Sequence, residues 1–493
     1  MLRCLTKFLP RNQFARNIFA LASGTVVAQA ILIAASPVLT RLYTPADFGI
    51  LSVFIATLGL FGSISALRLE LAIPLPEDDR DATALTILAL VVVAGLSAVL
   101  LFVTITFGHH IEAHPNINRL SPYLWLMPVA FSMLGLFIIL NMWCIRNNMF
   151  NEIAKAKVGQ SIVTVAGQVI GAPLGAGSLI AGRVVGQLVA TAHLLFLACN
   201  TWQIRKHRPQ VADLKSVAKT YRKFPLVSTW SALASSAGTA FTPLLFASYF
   251  GLDVAGHFAV TMTVMVAPMS IIGVAIQNAF YRKAVEAHRQ GTLWNLILAV
   301  QARLVVTMLP LFLLMSFTFP DIFTFIFGEN WEPSGVFAFW VLPWMFLQLT
   351  ITPCTGIFPI LDRLGTALLF DIFLAVAPLA ALFIGQSLSG DPVLIIQLLS
   401  LIASLTYIVR LSVAYIYASA PAYIGVVTLL RWCPFALVIV TPMFALHWLS
   451  QDGGPGVITE ALMIVATLGV YLVAVRKIWP SLPPLDIEAA NAA

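Results

Sequence analysis

Apolar residues run in long stretches along this chain, and polar residues gather in the short gaps between them. A helix that crosses a bilayer needs about 20 mostly apolar residues, because the hydrocarbon core is about 30 Å thick and each residue rises about 1.5 Å. Stretches of that length cover 18–39, 48–73, 83–107, 122–144, 158–177, 178–199, 225–249, 255–279, 293–318, 335–355, 364–386, 392–417, 422–448 and 456–475. The fifth and sixth are nearly fused, parted only around Gly175 and Gly177. The pattern predicts an all-α polytopic membrane protein of about 14 transmembrane helices.

Composition agrees: 59% of residues are hydrophobic and 10% charged, against about 25% charged in an ordinary soluble domain. The net charge of +7 needs no nucleic acid to explain it, because Lys and Arg concentrate in alternate gaps, as loops held in the cytoplasm do. That side collects Arg80, Arg146, Lys155, Lys157, Arg205, Lys206, Arg208, Lys215, Lys219, Arg222, Lys223, Arg282, Lys283, Arg289, Arg363, Arg476 and Lys477. The opposite side holds only Arg41 and Arg119, with Asp253, Asp321, Glu329, Glu332, Asp391 and Asp452. Both termini are thus expected in the cytoplasm. Arg3, Lys7, Arg11 and Arg16 precede an apolar run too long for a signal peptide, which reads as an uncleaved first span. Cys4, Cys144, Cys199, Cys354 and Cys433 are scattered and predict neither disulfides nor zinc.

A short internal repeat divides the chain. RLYTPADFG (41–49) and SYFGLDVAGHF (248–258) each join an outward helix to a returning one, and Gly49 and Gly256 lie 207 residues apart. Six spans intervene, so the halves share an orientation, as parallel transporter repeats do. The predicted division is a lobe of spans 1–6 (1–200), a basic linker (201–224), a lobe of spans 7–12 (225–418), and two extra helices with a short tail (419–493). In the linker, Leu214, Val217, Ala218 and Tyr221 follow helical spacing, which predicts an amphipathic helix on the inner leaflet.

Charges inside spans cost about 2.5–3.5 kcal/mol at mid-bilayer and therefore mark cavities or partners. Arg183, Arg410, Arg431 and Glu460 lie near span ends and read as snorkelling. Arg303, about ten residues into its span, does not. Arg68 and Glu70 are two apart on a predicted helix, on different faces, which disfavours a mutual ion pair. The repeat places Ala275 and Gln277 opposite them. Asp371 is a lone carboxylate that either couples an ion or pairs with a neighbour. Ser228, Ser231, Ser235, Thr239 and Thr242 form a polar stripe on the seventh span, and Thr25 and Gln29 a shorter one on the first; such stripes either join helices or line a wet cavity. The candidate substrate cavity is Arg68, Glu70, Arg303, Gln29, Ser231, Ser235 and Gln277, with Asp371 for ion coupling. The excess of arginine points to an anionic cargo, because the planar guanidinium suits phosphate oxygens.

Other chemistry is thin. EDDRD (77–81) lacks the second Asp-rich segment of a metal-diphosphate enzyme, HHIEAH (109–114) lacks zinc-protease order, and no nucleotide loop or nucleophile elbow occurs. Neither enzyme activity nor a cofactor is expected. A prenyl- or glycosyltransferase would depend on Asp78, Asp79 and Asp81.

RLYTPADFG (41–49), ALRLELAIPLPEDD (66–79), YRKFPLVS (221–228), AGHFAV (255–260), NAFYRKA (278–284) and FGENW (327–331) occur in an order and spacing that resembles the polysaccharide (Wzx-like) flippases of the MOP superfamily. The resemblance implies two lobes and alternating access. It also implies movement of an undecaprenyl-diphosphate-linked glycan to the periplasmic leaflet of a bacterial inner membrane, for lipopolysaccharide, capsule or exopolysaccharide. Implied partners are that lipid, the surrounding membrane lipids and a glycan polymerase or export machinery. The alternative is an ion-coupled exporter of drugs or organic cations on the same fold, which would use Asp371 and Glu70.

Overall fold

The computed structural model describes residues 13–112, 116–201, 210–450 and 457–483. The first twelve residues and the HHIEAH side chains, on which sequence expectations bore, lie outside the described ones. The chain is helical throughout the described residues: α1 (Gln13–Leu42), α2 (Pro45–Gly62), α3 (Asp79–Glu112), α4 (Leu126–Arg146), α5 (Phe150–Ile170), α6 (Ala176–Thr201), α7 (Val211–Thr220), α8 (Thr229–Phe250), α9 (Leu252–Arg289), α10 (Leu293–Phe327), α11 (Glu332–Ile351), α12 (Leu364–Leu388), α13 (Pro392–Tyr417), α14 (Ile424–Ser450) and α15 (Val457–Ile478). Among the described residues, 10 helices are long and apolar enough to cross a membrane, with shorter apolar stretches at Leu252–Val266 and Thr318–Phe327. Each predicted span falls on a helix, although the count of 14 crossings is not fixed by length and hydropathy.

Two boundaries differ from expectation. α5 starts at Phe150, not near 158, because Glu152, Lys155 and Lys157 make its first two turns polar and hide them from a hydropathy reading. The second span ends as a helix at Gly62, and residues 63–73 pass through tight turns with Leu67 and Arg68 in the left-handed region (φ 50° and 62°).

The chain forms two compact units, Met1–Val260 and Thr261–Ala493. In the first, Leu85 and Ala89 of α3, Ile139 and Trp143 of α4, Ile153 of α5 and Leu194 of α6 share one buried cluster. The linker helix α7 forms as predicted, but Val217 is buried in this cluster, with Leu214 and Tyr221 packed beside it. Its apolar edge therefore rests on protein and not on the leaflet. Arg80 fixes it there, donating from Nε and Nη2 to Asp213 Oδ2 at 3.1 and 2.9 Å. In the second unit α11 is buried along most of its length, and Phe346, Ile351, Tyr407, Tyr415 and Phe280 belong to the main cluster. Inside it, Gln301 Nε2 donates to the Gly425 carbonyl at 2.9 Å and Gln301 Oε1 accepts from Tyr415 Oη at 2.7 Å, satisfying a fully buried amide.

The repeat motif has a structural meaning within the first unit. Thr44 and Asp47 cap α2 reciprocally: Thr44 N donates to Asp47 Oδ2 at 2.9 Å and Asp47 N donates to Thr44 Oγ1 at 3.3 Å. One turn on, a Cβ on Gly49 would lie 1.9 Å from the Leu252 carbonyl oxygen, and a Cβ on Gly256 would lie 1.8 Å from that of Pro45. Pro45 and Leu252 are themselves 207 residues apart, so the two contacts are exchanged by the repeat. Only glycine lets the first turns of α2 and α9 approach this closely.

Candidate functional site

The irregular segment after α2 positions Arg68 and Glu70. On a regular helix the two would diverge. The left-handed turn at Leu67 and Arg68 instead brings Arg68 Nη1 to 3.6 Å from Glu70 Oε1, so they do pair. The pair is half-satisfied: Arg68 Nε and Glu70 Oε2 are buried without a hydrogen-bond partner. Arg68 keeps 31% of its side chain exposed, against 5% for Glu70, so the cation is the accessible member.

The remaining candidates divide between the units. In the first, Gln29 is exposed on α1, and Ser231, Ser235 and Thr239 form an exposed row along α8. These three hydroxyls are not packed between the unit's helices, whereas Thr242 of the same stripe is buried. In the second, Gln277 is exposed on α9 at the edge of a cavity of about 210 Å³. Arg303 donates from Nη1 to the Ala299 carbonyl at 3.1 Å and to the Pro483 carbonyl, with its guanidinium carbon 5.5 Å from the Trp479 ring centre. It clasps the segment that follows α15. Asp371 meets Arg410 at 3.0 Å, and Arg410 stacks 5.8 Å from the Phe358 ring centre. Arg410 is therefore paired and not snorkelling.

Two carboxylates of the Asp-rich cluster hold structural contacts. Asp79 Oδ1 accepts from Arg146 at 2.9 Å, and Asp78 Oδ1 accepts from the Arg80 backbone at 2.9 Å. Both bonds fix the start of α3. No group of three metal-binding side chains occurs among the described residues.

Sequence reasoning passed over Arg183. It lies seven residues into α6 on the face shared with Ile180, Ala190 and Leu194, which are at most 1% exposed, while Val185, Leu188 and Phe196 cover the opposite face. Arg183 thus points toward protein, where snorkelling is closed to it. It remains partly exposed and makes no hydrogen bond or ion pair among the described residues. A signal was present: Arg183 and Gln187 share one helical row, and polar residues on such a row avoid lipid. On the neighbouring α5, Gln160 Nε2 donates to Gln187 Oε1 at 2.6 Å, and Lys157 Nζ donates to Thr25 Oγ1 at 3.1 Å, so this side of α5 and α6 is polar within an apolar unit.

Comparison with known proteins fits this geometry. Among solved structures the chain is similar to one described as "Lipid II flippase MurJ, inward closed conformation", with 12% identity, TM-score 0.69, and coverage of 94% of this chain and 98% of that one. It is also similar to an inward-facing multidrug resistance MATE family transporter of the MOP superfamily, with 15% identity, TM-score 0.50, and coverage of 81% and 94%. The fold is therefore that of MOP superfamily transporters. No curated protein matches the sequence. Residues 38–335 match the family described as "Polysaccharide biosynthesis protein", and on that match, which takes in most of the chain, the protein belongs to the polysaccharide biosynthesis family.

Proposed function

We propose that the protein moves a lipid-diphosphate-linked oligosaccharide from the cytoplasmic to the periplasmic leaflet of a bacterial inner membrane by alternating access, with both termini in the cytoplasm. The observation that carries this reading is Arg183, a guanidinium on the buried face of an apolar helix with no hydrogen-bond or ion-pair partner among the described residues. Holding a cation there costs about 2.5–3.5 kcal/mol unless an anion or water meets it. A diphosphate headgroup supplies acceptors matched to the guanidinium fork. Arg68 is a second cation with an exposed face. Family membership in polysaccharide biosynthesis supports a glycan cargo, and the shared fold supports transport over catalysis. Asp371 and Glu70, which an exporter of organic cations would use, each already face an arginine. Asp371 is the proposed coupling group, since its protonation would release Arg410.

Transfer of a lipid-diphosphate-linked glycan across proteoliposomes tests the reading. Arg183→Gln and Arg68→Gln are each expected to slow transfer by about tenfold or more, the loss of one charged hydrogen-bonding contact. Arg183→Lys should retain part of the rate. Wild-type rates in both Gln variants and in the double variant would remove the cationic site.

A further inference from the structure

The cavity in the second unit has a chemistry unlike that of the arginines. Met269, Gly273 and Gln277 of α9 line it on one side, and Met345, Gln348 and Thr352 at the end of α11 on the other. None of the described lining residues is charged. Gln348 Oε1 is buried and accepts no hydrogen bond from the protein, a debt of about 1–3 kcal/mol unless a guest or water donates to it. Gly273 adds a second observation. It sits inside a long helix, where glycine costs about 0.5–1 kcal/mol relative to alanine. A Cβ there would meet no atom within 4 Å, so helix packing does not require it. What its missing side chain does is keep the cavity wide.

The lining selects among guests. An acyl chain would leave the Gln348 oxygen unpaired. A cation would find no carboxylate and a phosphate no cation. A guest with neutral hydroxyls at its edge and C–H groups on its faces satisfies both the amides and the methionine walls. We infer that this cavity seats one uncharged sugar ring of the transported glycan, its hydroxyls meeting Gln277, Gln348 and Thr352 and its face lying on Met269 and Met345; the inference rests on the transport reading above.

Binding of two probes to the purified full-length protein tests it: undecaprenyl diphosphate alone, and the same lipid carrying one uncharged hexose. The wild type is expected to hold the glycosylated lipid about tenfold more tightly, the worth of one or two hydrogen bonds. Gly273→Leu, which fills the cavity from an unstrained helical position, and Gln348→Leu should each abolish that preference. Both should leave affinity for the bare lipid and the melting temperature unchanged. Equal wild-type affinities, or a preference that survives both variants, would overturn the sugar seat and leave the transport reading intact. Binding of neither lipid by the wild type would sink the transport reading and this inference with it.

Discussion

A guanidinium away from water needs acceptors, and Arg303 and Arg183 meet that need in opposite ways. Arg303 donates from Nη1 to the Ala299 and Pro483 carbonyls and lies over Trp479, contacts that all fall within the second unit. Arg303→Ala should cost about 1.5–3 kcal/mol, the range for hydrogen bonds to a charged group. It should also expose the segment around Trp479–Pro483 to protease in otherwise folded protein. Arg303→Lys should behave similarly, because an ammonium has no planar fork to hold the carbonyls and cover the ring. Limited proteolysis scored by loss of a C-terminal tag measures both. An unchanged cleavage pattern combined with lost glycan transfer would return Arg303 to the substrate cavity. Nothing in the sequence distinguishes the two arginines by depth alone. The difference lies in which face of the helix each occupies, and for Arg303 in a carbonyl 180 residues further along the chain.

At the scale of elements, the most constrained feature is the reciprocal crossing at Gly49 and Gly256. Gly49→Ala would drive a methyl into the Leu252 carbonyl, whereas Gly59, one helix face away on the same α2, has nothing within 4 Å of its would-be Cβ. Thermal unfolding in detergent should show Gly49→Ala well below wild type. Gly59→Ala should be equal or higher, since alanine gains about 0.5–1 kcal/mol over glycine within a helix. A loss shared equally by the two variants would refute the close crossing. The docked linker helix gives a pH test. The Gln210 backbone N–H and the Arg80 guanidinium hold the Asp213 carboxyl below its ordinary value of 3.8. Its contribution to docking is present above that value and is lost as pH falls through the lowered one. Amide protection factors across Val211–Thr220, taken relative to intrinsic exchange at each pH, should therefore fall in acid, and Arg80→Ala should produce the same fall at neutral pH. The repeat and α7 were legible because they are local: RLYTPADFG (41–49) and the helical spacing of Leu214, Val217, Ala218 and Tyr221 lie in single short stretches. The break after Gly62 was not, because Leu67 and Arg68 are ordinary helix formers that tertiary packing forces into left-handed backbone.

For the molecule as a whole, hydropathy fixed the class and the order of helices, while the faces of those helices, and therefore the site, depended on packing that no linear pattern records. The same limit governs the count of crossings. α8 does not pass as an apolar span, and it carries the exposed Ser231, Ser235 and Thr239 row. Yet α8 has 22 residues, about 33 Å of helix at 1.5 Å per residue, enough for a hydrocarbon core of about 30 Å. A span that lines water on one side need not be apolar all round, so low hydropathy here and a wet cavity are one fact seen twice. The reading then requires α8 and α9 both to cross. In a cysteine-free background, cysteines at Lys219 and Arg289 should react with an impermeant maleimide only from the cytoplasmic side, and cysteines at Asp253 and Asp391 only from the other. If α8 and α9 instead formed a hairpin that failed to cross, Asp253 would label with Lys219 while Asp391 kept its side, because three further long helices, α10, α11 and α12, precede it. That single reversal at Asp253 would remove the polar stripe from any transmembrane path.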